Sequence, residues 1–334
     1  MDERTRVRNM EEPLIEPVAR KFLDALAARG GKPIYQLSFS EARRVLEDLQ
    51  AQPVDKPSAE QEDLDIPCGP GGHVSVRIVR PVQSKGKLPV VMYFHGGGWI
   101  LGSKNTHDRL VRELAIGSGA AVVFVNYTPS PEAQYPVPIE EAYAATKYFA
   151  ENVVAGLDGS RLAVAGDSVG GNMAAAVAIL SKQRGGPEIA FQALFYPVTD
   201  ADFETGSYRR FTNGPWLTRN AMEWFWNAYA PDPATRKEIT ASPLRASLQE
   251  LEGLPPALVM TDENDPLRDE GEAYARKLFQ AGVQVIATRY LGTFHDFMML
   301  NALAGTPATR AAIAQANAVL RDAFETKSRF RLAA

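Results

Sequence analysis

Residues 161–180 read RLAVAGDSVGGNMAAAVAIL. Leu162–Gly166 is a short apolar run, and Asn172 onward is a strong helical pattern. Between them Gly166-Asp167-Ser168-Val169-Gly170 matches G-x-S-x-G. A serine on a sharp strand-to-helix turn has strained backbone dihedrals. The residues two before and two after it come so close together that neither can carry a side chain. The following helix aims its first N–H groups and its positive dipole end at the reacting oxygen. Ser168 is therefore the candidate nucleophile, and the strand–turn–helix context separates it from a serine that merely caps a helix.

Working outward, the same alternation recurs. Asp63–Pro67 and His73–Arg80 flank CGPGGH as a hairpin. Further strands are expected at Pro89–Phe94, Ala121–Asn126, Arg161–Gly166, Ala190–Tyr196, Ala257–Thr261 and Gln284–Tyr290. Most are continuous apolar runs, as in strands buried on both faces. Helical patterns lie between them at Asp108–Ser118, Ile139–Asn152, Asn172–Arg184 and Asp269–Ala281. The fold class is α/β, a mostly parallel twisted sheet of eight strands flanked by helices. Residues 10–50 read as amphipathic helices, the second capped by Ser40, and 51–62 as a polar linker. The aromatic-rich GPWLTRNAMEWFWNAYA sits in a connection too long for such a unit. The organisation expected is N-terminal helices at 1–52 forming part of a cap, a core at 53–200 and 240–334, and an inserted cap segment at 201–239.

The chain has 334 residues, 45% hydrophobic, with a net charge of −4. No basic stripe dominates any segment, so no nucleic-acid partner is expected. Arg4, Arg6 and Arg8 alternate with acids, as in a solvated tail. No signal peptide and no run of the ~18 apolar residues needed to span a bilayer is seen. Cys68, the single cysteine, excludes an intrachain disulfide and fits a cytoplasmic location. It lies at a strand end without a nearby His, so its role is structural.

Serine needs a base, usually His. His73 at a hairpin edge and His107 in a polar loop are expected at the surface. His95 precedes Ser168, whereas His295 in YLGTFHDFMML follows it. In the order Ser, acid, His, only His295 fits. The acid should follow the strand Ala257–Thr261. Asp262 and Asp265 stay close rivals, and Asp265 also suits a helix cap before Pro266. In VMYFHGGGWILGSK (Val91–Lys104), Gly97 to Lys104 falls near a phosphate-loop spacing, but Lys and Ser are in the wrong order and bulky residues fill the middle. His95-Gly96-Gly97-Gly98 instead suits close backbone donation to a transient oxyanion.

Together HGGGW (His95–Trp99), GDSVGG (Gly166–Gly171), DPLRDEG (Asp265–Gly271) and FHDFM (Phe294–Met298) resemble the hormone-sensitive lipase family of α/β-hydrolases, in its bacterial esterase branch. The resemblance spans about residues 10 to 325, and SPLRA (Ser242–Ala246) looks like the family's return from cap to core. It implies an α/β-hydrolase fold with a helical cap, Ser168 as nucleophile, His295 as base and Asp265 rather than Asp262 as acid. Gly97, Gly98 and Val169 would donate to the oxyanion. Trp99 and Trp216 are expected to touch a small-molecule ester of short to medium acyl chain, with no metal or other cofactor. A homodimer through an edge strand is implied by resemblance only. Val169 stands where the family often has Ala. NYTPSPEAQYP (Asn126–Pro136) replaces a more usual Tyr-Arg-Leu-Ala-Pro-Glu. Other acyl transfers on the same three residues (amidase, lactonase, acyltransferase) are alternatives. A non-catalytic binder, like the gibberellin receptor, is a remote one.

Overall fold

The computed structural model describes residues 13–332, with side chains through residue 325. The tail carrying Arg4, Arg6 and Arg8 lies outside the described residues. The strands are β1 (Ala59–Ile66), β2 (Val74–Pro81), β3 (Leu88–Phe94), β4 (Ala121–Asn126), β5 (Leu157–Asp167), β6 (Phe191–Phe195), β7 (Ala257–Asn264) and β8 (Val285–Phe294). They form one sheet in the order β1-β2-β4-β3-β5-β6-β7-β8. The β1–β2 and β2–β4 pairs are antiparallel, and every later pair is parallel. The fold is thus an α/β-hydrolase sheet of eight strands, mostly parallel. The longer helices are α1 (Pro17–Arg29), α2 (Phe39–Gln50), α3 (Asp108–Ser118), α4 (Val137–Glu151), α5 (Val169–Arg184), α6 (Arg219–Tyr229), α7 (Arg268–Gln280) and α8 (Pro307–Leu332).

The apolar strands behave as their composition demands. Every residue of β3 and β6 is buried, because helices cover both faces. α5 is buried from Val169 to Ser181 and has no polar face in that stretch. Local signals set the helix ends. α2 starts at a capping box in which Ser38 accepts from Glu41 N–H and the Glu41 carboxylate accepts from Ser38 N–H. The expected cap Ser40 lies two residues too late, inside the helix. α6 starts where the Thr218 hydroxyl accepts from Ala221 N–H.

Winding reverses at β3. The chain runs from β3 to β4 on one side, then crosses to β5 on the other. Such a switch point opens a crevice at the carboxyl ends of the strands. Pairing register fills that crevice. Phe94 pairs with Gly166, so His95 and Asp167 leave the sheet side by side. Asn264 pairs with Phe294 beyond a register shift, so Asp265 and His295 emerge together from β7 and β8.

Candidate active site

Ser168 sits between β5 and α5 with φ 55° and ψ −121°, a conformation costly for a residue with a side chain. Its N–H donates to the Phe195 carbonyl at 2.8 Å and its carbonyl accepts from Val198 N–H at 3.1 Å, which fixes the turn. The glycine pair works as the spacing predicts. A Cβ on Gly170 would fall inside the Phe94 carbonyl, and one on Gly166 inside the Gly170 carbonyl.

The Ser168 Oγ donates to His295 Nε2 at 2.9 Å, and His295 Nδ1 donates to Asp265 Oδ2 at 2.6 Å. All three residues are at most 4% exposed. The other Asp265 oxygen accepts from Leu267 N–H at 2.9 Å. That contact replaces the expected cap, because α7 begins only at Arg268. Burial disfavours a charged imidazole first, but Asp265 and Asp296 outweigh it and raise the His295 pKa. Burial pushes the Asp262 and Asp296 carboxyls up toward their neutral forms. Asp265, which also bonds Nδ1, is the largest of the carboxylate contributions to the His295 shift. Asp262 is fully buried beside Asp265 and the Thr293 hydroxyl. Asp262, Asp265 and His295 bring one ligand atom each within 4.8 Å of one another. Two of those atoms are already joined in the short Nδ1–Oδ2 bond, so the arrangement is that of a hydrogen-bonded acid–base pair.

Gly97 and Gly98 follow β3 and Val169 opens α5, and among the described residues none of their N–H groups is paired with an acceptor. Gly98 has φ 65°, and a Cβ there would run into the Phe225 ring, which lies over the loop. Trp99 is the exception to expectation. It has no exposed surface, stacking on Tyr229 at 4.0 Å and meeting Trp226 at 4.8 Å. A ring so enclosed braces the glycine loop against α6 and has no face free for substrate. Trp216 is partly exposed beside the base, and its indole donates to Asp296 Oδ2 at 2.9 Å.

A second network, not foreseen from the motifs, centres on Asp167. Its Oδ1 accepts from the Tyr93 hydroxyl at 2.6 Å and Gly96 N–H at 3.1 Å, and its Oδ2 lies 3.2 Å from His107 Nε2. Burial works against the Asp167 charge, but His107 and the Tyr93 hydroxyl hold its pKa below the usual value. His107 is fully buried, contrary to the surface position expected of it. The polar run SKNTHDR hides that the residue preceding α3 turns inward under the glycine loop. His95 stacks on Tyr127 at 4.3 Å, and burial first, then His107, holds its pKa down to about 3. It is thus a neutral structural ring. His73 is exposed and Cys68 half-buried. Where the usual Arg is missing, Thr128 binds the buried Glu141 through both its N–H and hydroxyl.

Residues 91–299 match the family model described as the alpha/beta hydrolase fold. Among curated proteins, a carboxylesterase of Mycobacterium tuberculosis is 39% identical, with 82% of this chain and 85% of that protein covered. An ethyl acetate hydrolase of Pseudomonas putida is 38% identical over 81% of this chain and 86% of its own length. Among solved structures, a thermostable esterase from Pseudomonas putida superposes with a TM-score of 0.92 at 52% identity, covering 94% of this chain and 98% of that one.

Proposed function

The chain belongs to the α/β-hydrolase fold family, and from that premise we propose that it hydrolyses short- to medium-chain carboxylic esters through Ser168, His295 and Asp265. The observation that carries this reading is the continuous Oγ–Nε2 and Nδ1–Oδ2 chain of hydrogen bonds, at 2.9 and 2.6 Å. His295 takes the Ser168 proton as Oγ attacks the ester carbonyl. The N–H groups of Gly97, Gly98 and Val169 receive the oxyanion. His295 then protonates the departing alcohol, leaving an acyl-enzyme that water hydrolyses. Asp265 keeps the proton on Nδ1 and stabilises the imidazolium.

The short to medium chain length is supported by the Phe225 ring over Gly98 and by the ethyl acetate hydrolase relative. In the same reading, residues 1–52 and 201–239 form a cap over a core of 53–200 and 240–334. Supporting it are the stacked Phe39 and Trp224 rings at 5.2 Å, which join α2 to α6. Among the described residues no helix is long and apolar enough to cross a membrane. A cytoplasmic enzyme, able to dimerise and without nucleic-acid partners, completes the proposal.

The test is hydrolysis of p-nitrophenyl acetate, butyrate, octanoate and laurate by the wild type and Ser168→Ala. Turnover highest on the acetate or butyrate and lost in the variant is expected. Near-native turnover by Ser168→Ala would end the proposed mechanism.

A further inference from the structure

Asp296 follows the proposed base and has no part in the steps above. Its φ of 71° lies in the left-handed region, which a residue with a side chain enters at a cost. It is held at both ends. Oδ2 accepts from the Trp216 indole at 2.9 Å, and its carbonyl accepts from Met299 and Leu300 N–H at 2.9 and 3.0 Å. Oδ1 is buried and makes no hydrogen bond to protein. It lies 3.5 Å from His295 Nε2, the ring nitrogen that Ser168 Oγ reaches at 2.9 Å. Leaving such an oxygen unpaired costs about 1–3 kcal/mol. A strained residue that keeps one polar atom unpaired beside the base points to a partner that arrives during the reaction.

Two acceptors 3.5 Å apart can share one water, since each hydrogen bond spans about 2.8 Å. We propose that Asp296 positions the water that hydrolyses the acyl-enzyme, an inference that rests on the ester-hydrolase reading. Oδ1 accepts one O–H of this water and Nε2 accepts the other, leaving an oxygen lone pair for the acyl carbonyl. As the C–O bond forms, the proton on Nε2's side passes to Nε2. The tetrahedral oxyanion then collapses, the bond to Ser168 Oγ breaks, and Oγ takes that proton from Nε2. The carboxylic acid leaves with the water oxygen, and Asp296 is unchanged. Acylation uses no water, so the role is confined to the second step. Asp296 is a positioning residue in this scheme.

Stopped-flow release of p-nitrophenol from p-nitrophenyl acetate separates the two steps. Asp296→Gly removes the carboxyl while suiting the positive φ. Asp296→Asn keeps an acceptor oxygen at the same reach. Asp296→Gly should release one equivalent in a burst whose rate constant stays within about threefold of wild type, then turn over roughly 10- to 100-fold more slowly, with KM falling alongside kcat. Asp296→Asn should recover most of the steady rate. If Asp296→Gly does not fold, Asp296→Ser, too short to reach, is read by the same criteria. Equal slowing of burst and steady phases, or an unchanged steady rate, overturns the proposal. Wild-type protein that releases no p-nitrophenol, or a fully active Ser168→Ala, overturns the ester-hydrolase reading and this inference with it.

Discussion

At Asp265 a single oxygen decides which nitrogen of His295 carries the proton. Asp265→Asn keeps the shape but can present an N–H to Nδ1, which favours the wrong tautomer. We expect kcat on p-nitrophenyl butyrate to fall by about 10⁴, as at other Ser-His-Asp sites, with the melting temperature little changed. The charge on Asp265 also sets a pH dependence. A base must be neutral, and the His295 pKa is raised, so kcat/KM should climb with pH to a midpoint above the ordinary value of ~6.5. A midpoint at or below that value would contradict the ion-pair reading. The linked stability has the opposite trend. A raised folded-state pKa stabilises fully below the unfolded value near 6.5 and fades as pH rises through the folded value. The stability gap between wild type and Asp265→Asn, measured by denaturant unfolding, should therefore narrow as pH rises above neutral. Ser168 and His295 are legible in the sequence because their motifs encode steric and order constraints. Asp167, Asp296 and His107 are not. Their roles come from partners tens of residues away, such as Tyr93 for Asp167 and Trp216 for Asp296, and short polar runs around them read as surface.

Among the elements, strands buried on both faces are read most easily, since continuous apolar runs leave few alternatives. Boundaries shift where backbone capping decides, as at Ser38 instead of Ser40, and at α7, which starts after Asp265 has already bonded Leu267 N–H. Which face of α6 meets the glycine loop was beyond periodicity alone. Its four aromatics, Trp224, Phe225, Trp226 and Tyr229, offer several faces, and only packing places Phe225 over Gly98 and leaves Trp99 enclosed by Trp226 and Tyr229. That placement gives a specificity prediction. Phe225→Ala removes the ring over Gly98 and is expected to open room for a longer acyl chain. One methylene in an apolar pocket changes kcat/KM by roughly 10-fold or more. The octanoate-to-acetate ratio should rise at least that much, in a competition between the two p-nitrophenyl esters. An unchanged ratio would place the acyl chain elsewhere.

For the molecule as a whole, the question is how the N-terminal helices and the hydrolase body are held in one arrangement. Arg43 of α2 reaches two separate segments. Its Nε donates to the Ile100 carbonyl at 2.9 Å, and Nη2 donates to the Ser130 carbonyl at 3.0 Å and to Glu132 at 2.6 Å. Ile100 follows directly on the glycine loop and Trp99. Ring contacts run in parallel, with Phe22 of α1 packed 5.8 Å from Trp216 and 6.2 Å from Phe294, the residue before His295. The ion pair itself is partly exposed and adds little to stability. The two carbonyl contacts matter more, because they pin the backbone that carries the proposed oxyanion donors. A planar fork makes all these bonds together, and a lysine ammonium cannot reproduce their geometry. Arg43→Ala should therefore cost about 1–2 kcal/mol in urea unfolding and lower kcat/KM roughly 10-fold. Arg43→Lys should recover part of the stability and little of the activity. If kcat/KM stays at the wild-type value in both variants, the glycine loop is held without α2, and the N-terminal helices only cover the site.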